Sequence, residues 1–266
     1  MQVALDHIVH IVEDLDAAAA ALDAAGLRTV AGGRHPRWGT RNSICHFGLT
    51  YVELLSVEER SVAETSTFGR AVLAESTRGD GIWRLALRTD DIEAAAAKVR
   101  VAGSRCNGPV PGERTRPDGS TLRWSLAFPE TPEVDLVPPM LIDWHEPDRR
   151  RHADLLARGF LDAQPRAVIA AVAVACRDPE AAAAWMHNAF GVSAVKTATA
   201  AYGPGLRISL RGGHIVLCGG EHPEPIVAAV LSRRGERPFA VHLAAAERGR
   251  DIKMEIGGVL YTFAPI

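Results

Sequence analysis

The sequence predicts an α+β fold made of four tandem β-α-β-β-β modules, and three observations carry that prediction. The opening "VALDHIVHIV" is rich in β-branched residues and runs directly into the helical pattern "EDLDAAAAALDAAGL". That strand-then-helix pattern returns 77 and again 164 residues later, so that Asp14 becomes Asp91 and then Asp178. After each helix come three short strand-like pieces. Self-similar units of this size, each with one apolar face to bury, read as modules of one architecture.

In the first module Asp14 is a helix N-cap and Asp16 places negative charge in the first turn. Leu15, Ala18 and Leu22 share one face, and Gly26 closes the helix. "LRTVAG", "NSICHFG" and "TYVELLSV" follow as strands. The second module, from "WRLALRTDDIEAAAAKVRVAG" (83–103), repeats the cap at Asp91, the apolar face at Ile92 and Val99, and the stop at Gly103. Its strands are "SRCNG", "TLRWSLAF" and "PEVDLVP", with Asp118-Gly119 as a tight turn before the second. The third, "AVAVACRDPEAAAAWMHNAFG" (171–191), has Pro179 at the first helical position, where its missing N–H does no harm. "SAVK", "LRISLRG" and "HIVLCGG" complete it. "PFAVHLAAA", "DIKMEI" and "VLYTFAP" read as a fourth copy that has lost most of its helix. A Pro- and charge-rich stretch divides the modules two and two, giving residues 1–140, a linker at 141–164, and residues 165–266.

Composition narrows the function. The 266 residues are 47% hydrophobic and 23% charged, with net charge −2, so there is no basic excess to grip phosphates, and a nucleic-acid partner is not expected. The longest apolar run, "AVIAAVAVAC" (167–176), is half of what a membrane span needs. The N-terminus lacks the pattern of a signal peptide. Four widely spaced cysteines, Cys45, Cys106, Cys176 and Cys218, form no CxxC pair, which fits reduced thiols and a cytoplasmic protein. Nucleophile-elbow, phosphate-loop and dinucleotide fingerprints are absent.

The β-α-β-β-β module in tandem pairs resembles the vicinal oxygen chelate superfamily, which includes glyoxalase I, bleomycin-resistance proteins and extradiol dioxygenases. "LDHIVHIVEDLDAAAAAL", "GGRHPRWGTRNS" and "YVELLSV" look most like its glyoxalase-like branch. The resemblance implies two half-barrel sheets, each curled around a cavity, with metal ligands on the first and last strands of each module. Carried over, those positions are His7 and Glu53 in module 1, and Arg84 and Asp135 in module 2. In module 3 they are Ala171 and Val216, and in module 4 the first is Ala240, so the C-terminal pair has no metal set and its cavity should be apolar.

Two readings of the N-terminal cavity follow. In one, His7, Glu53 and Asp135 hold a divalent ion (Fe, Mn, Ni or Zn) and Arg84 orients an anionic substrate. In the other there is no cofactor: Arg84 takes the place of the metal and pairs with Glu53 and Asp135, since a guanidinium is always protonated and repels a dication. In either reading His7 and Glu53 are candidate bases and Arg84 the electrostatic stabiliser. His10, three residues beyond His7, faces the opposite side of the strand and is a structural imidazole. The segment 32–43 reads as a loop in which His35, Trp38, Arg41 and Asn42 line a pocket, His35 being a second acid/base candidate. Trp124 shares a face with Leu122 and Leu126 and is either pocket wall or core. Trp83 reads as core, Trp144 and His145 as interface packing, and His222 as part of a solvated turn.

The resemblance implies an enzyme with lyase, isomerase or dioxygenase-like chemistry on a small oxygenated metabolite. Its alternatives are a metal-free protein that sequesters a small molecule, or a domain whose site has decayed. Two-module relatives dimerise to complete their cavities; four modules can do so within one chain, leaving monomer and homodimer both open.

Overall fold

The structure is a computed structural model and describes residues 2–115, 120–131, 134–162, 165–199, 201–245 and 252–265. Module 1 is β1 (Ala4–Ile11), α1 (Leu15–Ala24), β2 (Thr29–His35), β3 (Thr40–Phe47) and β4 (Thr50–Val57). Two helices follow, α2 (Arg60–Ala63) and α3 (Thr67–Ser76). Module 2 is β5 (Gly81–Arg88), α4 (Ile92–Val101), β6 (Arg105–Thr115), β7 (Thr121–Glu130) and β8 (Met140–Asp143), and α5 (Asp148–Ala157) comes next. Module 3 is β9 (Ala167–Cys176), α6 (Pro179–Phe190), β10 (Ala194–Thr199), β11 (Gly203–Leu210) and β12 (Gly213–Gly219), followed by α7 (Pro225–Arg234). The described part of module 4 is three strands, β13 (Pro238–Ala245), β14 (Ile252–Ile256) and β15 (Val259–Pro265).

The strands form two sheets, ordered β2-β3-β4-β1-β5-β8-β7-β6 and β10-β11-β12-β9-β13-β15-β14. In each module the last strand lies parallel to the first, and paired modules join through antiparallel first strands. One apolar core is shared by both sheets and by α1, α4 and α6, with Leu5, Ile8, Leu22, Leu87, Val99, Val174, Met186 and Leu217 among its members. The other face of each sheet carries its own cluster, around Val9, Ile11, Trp83 and Trp124 in the first and around Ala173, Tyr202, Val216 and Phe239 in the second.

The repeat read from the sequence is visible in the caps. Asp14, Asp91 and Asp178 each accept a hydrogen bond from the backbone N–H three residues on, at Ala17, Ala94 and Ala181. It also governs irregularities that the sequence hides. Between Leu5 and His7, β1 carries one extra residue, Asp6, opposite β5; the corresponding step in β9 makes Ala170 the extra residue opposite β13. Trp83 in β5 and Phe239 in β13 are matching bulges on the partner strands.

Two expectations are corrected. The segment 32–43 is a hairpin: Gly33 lies opposite Asn42 and His35 opposite Thr40, leaving only a turn at 36–39. The last strand of module 2 is Met140–Asp143, not "PEVDLVP", so strand pairing runs across the expected boundary between 140 and 141. Two prolines, Pro138 and Pro139, cannot donate to a ladder and hold the chain out of the sheet until Met140. The turn expected at Asp118-Gly119 lies outside the described residues.

Candidate active site

The bulge at Asp6 builds the site. Normal alternation would send Asp6 and His7 to opposite faces, but the extra residue lets the two side chains meet. His7 Nδ1 donates to Asp6 Oδ1 at 2.8 Å, which leaves Nε2 for the chamber. The other Asp6 oxygen accepts from Arg88 (2.9 Å), Arg151 of α5 (3.0 Å) and the Trp144 indole N–H (3.1 Å). Asp6 is fully buried. Burial alone would raise its carboxyl, but Arg151, His7 and Arg88 together hold it well below the usual carboxylate range. Arg88 is also paired with Asp148 at the start of α5 (2.7 Å), so two arginines are balanced by two carboxylates. Tyr51 stacks on the His7 ring with centroids 4.6 Å apart, and Arg151 lies 4.2 Å from the Trp144 ring centroid. An ionised carboxylate on Nδ1 fixes the tautomer and ring plane of a histidine whose Nε2 remains for chemistry.

Glu53 of β4 approaches from the next strand. Its Oε2 is 3.8 Å from His7 Nε2, and its Oε1 accepts from the Asn42 side-chain amide. Asn42 lies so close to Gly32 that a Cβ there would sit 2.1 Å from Asn42 Oδ1; glycine at 32 is what admits the amide that holds Glu53. His7, Glu53 and Asn42, together with His35 (Nδ1 3.0 Å from Thr40 Oγ1), line a chamber of about 60 Å³. Its remaining walls are apolar and aromatic, with Trp38, Phe68, Leu122, Trp124, Met140 and Trp144 prominent. Trp38 and Phe68 are 4.5 Å apart by centroids, and Trp124 and Trp144 5.8 Å.

Of the residues proposed from sequence, His7, Glu53, His35, Trp38, Asn42 and Trp124 therefore converge on one chamber. Three do not. Arg84 does not line it; its guanidinium lies 4.5 Å from the Trp83 ring centroid and 5.8 Å from that of Phe128. Burial lowers its pKa to about 10, and the carboxylate it senses is Glu75. It is thus not the partner of Glu53 that the metal-free reading required. Arg41 points outward and pairs with Asp16 at 3.1 Å. Asp135 is 81% exposed and pairs with Arg177 at 3.4 Å. Its expected place in the last strand of module 2 belongs instead to the β8 residues Met140 and Ile142, both chamber residues. Trp144, read as interface packing, is a chamber wall and an Asp6 donor. Asp6, Arg88 and Arg151 went unread because their convergence depends on the bulge and on α5. Two aspects of the sequence carried a trace of it: the Asp-His pair itself, and the clustered arginines of "DRRRH".

A catalytic ion takes about three N or O ligands from the protein. Here His7 and Glu53 are two; the module 2 positions hold Arg84 and Met140, neither of which is a ligand for a hard ion. Among the described residues no group of three His, Cys, Asp or Glu side chains is placed to hold a metal. The residues present do not fit the metal centre that the superfamily resemblance implies.

Among the described residues the second half offers no counterpart of the His7–Glu53 pair. Ala171, Val216 and Ala240 stand where ligands would be, the bulge carries Ala170, and Tyr202, Phe239 and Val227 of α7 pack over that face.

Residues 5–190 match the family model of the glyoxalase-like domain. The chain belongs to this family, within the vicinal oxygen chelate superfamily. Among solved structures, a hypothetical protein from Staphylococcus aureus is similar over 99% of this chain and 100% of its own, at 22% identity and a TM-score of 0.80. A mutant 4-hydroxymandelate synthase from Streptomyces coelicolor is similar over 93% of this chain and 72% of its own, at 15% identity and a TM-score of 0.60. These likenesses establish the fold. No curated protein matches the chain.

Proposed function

We propose that this protein is an isomerase- or lyase-type enzyme that moves a proton at a carbon beside a carbonyl in a small oxygenated metabolite. The observation that carries the reading is the buried Asp6–His7 pair with Nε2 left for a walled chamber. His7 is the general base, Asp6 its positioning residue, and Glu53 the second proton carrier across the chamber. An Nε2-to-carboxylate separation of 3.8 Å is too long for a direct hydrogen bond and leaves room for a proton to be exchanged through substrate or water. Excluding water with aromatic walls strengthens each electrostatic interaction inside. The reading needs no divalent ion. It places a neutral head group in the chamber, because among the described residues the lining carries Glu53 and no Lys or Arg.

A sequestering protein is the second reading. It is favoured by the aromatic walls and by Arg84 lying elsewhere, so that among the described residues no Lys or Arg faces a developing enolate. The test is deuterium wash-in by NMR: a panel of neutral hydroxyketones and hydroxyaldehydes is incubated in D2O with the protein. Exchange at a carbon next to the carbonyl that falls about 10²–10⁴-fold in His7→Ala supports the enzyme. Saturable binding with no exchange supports sequestration.

A further inference from the structure

The chamber is too small for most metabolites: about 60 Å³ is the space of a few water molecules. A larger space adjoins it. A groove of about 640 Å³ shares four of its lining residues, Ile44, Tyr51, Leu122 and Trp144. One wall is the β2–β3 hairpin, with Val30, Ala31 and Gly32; the other is α5 and the turn after it, with Leu155 and Phe160. The three arginines that line it are each paired within the protein. Arg34 pairs with Glu58 (2.9 Å), Arg158 with Asp154 (2.8 Å) and Arg151 with Asp6 (3.0 Å).

From this we infer that the groove is the binding site for an apolar chain attached to the reactive head, so that the substrate is a long-chain or aryl-alkyl carbonyl compound rather than a small polar metabolite. The inference rests on the proton-transfer reading for where the head lies, and on the groove for the rest. Paired rim charges have nothing to gain from an anionic tail, whereas the apolar walls gain from each buried methylene. The hairpin and α5 thus set chain-length specificity, and α5, through Arg151 and Asp6, links the groove to the base.

The experiment uses neutral 2-alkanones of five to eleven carbons as probes, with binding to the full chain read by tryptophan fluorescence and calorimetry. The dissociation constant should fall about three- to fourfold per added methylene until the groove is filled. Ala31→Trp, on an exposed edge-strand position, fills the groove, and Phe160→Glu charges its far end; both should abolish the increment while short ketones still bind. His7→Ala should keep the increment. An increment absent from the wild type, or unchanged in both groove variants, overturns the inference. An increment present without deuterium wash-in for any carbonyl compound leaves the groove standing and removes the proton-transfer reading.

Discussion

At the residue scale the central object is Asp6. It is a fully buried carboxylate shared by two guanidiniums, an indole and an imidazole. Such a group is costly to bury and more costly to unpair, because removing the charge strands its partners. Asp6→Asn should therefore destabilise the protein by about 3–5 kcal/mol, measured by urea denaturation. Trp144→Phe keeps the ring but deletes a donor to a charged acceptor, and should cost about 1.5–3 kcal/mol in the same assay. His7 and Glu53 alone are too few to hold a metal. Protein soaked in Fe, Mn, Ni or Zn and then desalted should retain no stoichiometric ion by elemental analysis. One ion per chain, lost in His7→Ala, would restore the metal-dependent reading.

At the element scale the module is defined by its caps and bulges. Asp14→Ala, Asp91→Ala and Asp178→Ala each remove the same side-chain-to-backbone hydrogen bond from a different helix. Each should lower stability by about 1 kcal/mol, seen as a shift in denaturation midpoint without a change in slope. The equivalent bulges at Asp6 and Ala170 show how one element geometry serves two ends. In the first sheet the extra residue is a carboxylate beside a histidine. In the second it is an alanine one position before Ala171, and Tyr202, Phe239 and α7 cover that face.

At the scale of the whole molecule the two halves are joined by buried polar contacts as well as by the shared core. Glu75 of α3 accepts from Arg234 of α7 (2.8 Å) and from Arg237, the residue just before β13. On the shared-core face, His10 Nε2–H donates to the Gly257 carbonyl at 2.9 Å, and its Nδ1 accepts from the Tyr261 hydroxyl at 2.9 Å. Burial pushes the His10 pKa down to about 4, from an ordinary value of 6.5. Between those two values the unfolded chain takes a proton that the folded chain refuses, so unfolding is favoured as pH falls through that window. The His10 contribution to stability should drop by about 3 kcal/mol from pH 6.5 to 4. That part of the slope should vanish in His10→Gln, as read from denaturation midpoints across the range.

The vicinal oxygen chelate fold entered as a resemblance, whereas the repeat, the capped helices and the four-module order were readable from residue order alone. They depend on local periodicity and on caps three residues apart, which a linear chain displays openly. His7 and Glu53 were carried over from the resemblance, Asn42 came from reading 32–43 as a pocket-lining loop, and alternation put Trp124 on one face with Leu122 and Leu126. What residue order could not show was where alternation breaks. One bulge turned Asp6 towards His7, another accompanies the Arg84 guanidinium's position over Trp83, and two prolines moved the last strand of module 2 from Asp135 to Met140. Each is a register event decided by pairing with a distant strand, so the carboxylate that orients His7, the incomplete metal set and the groove beside α5 became visible only when the chain was folded.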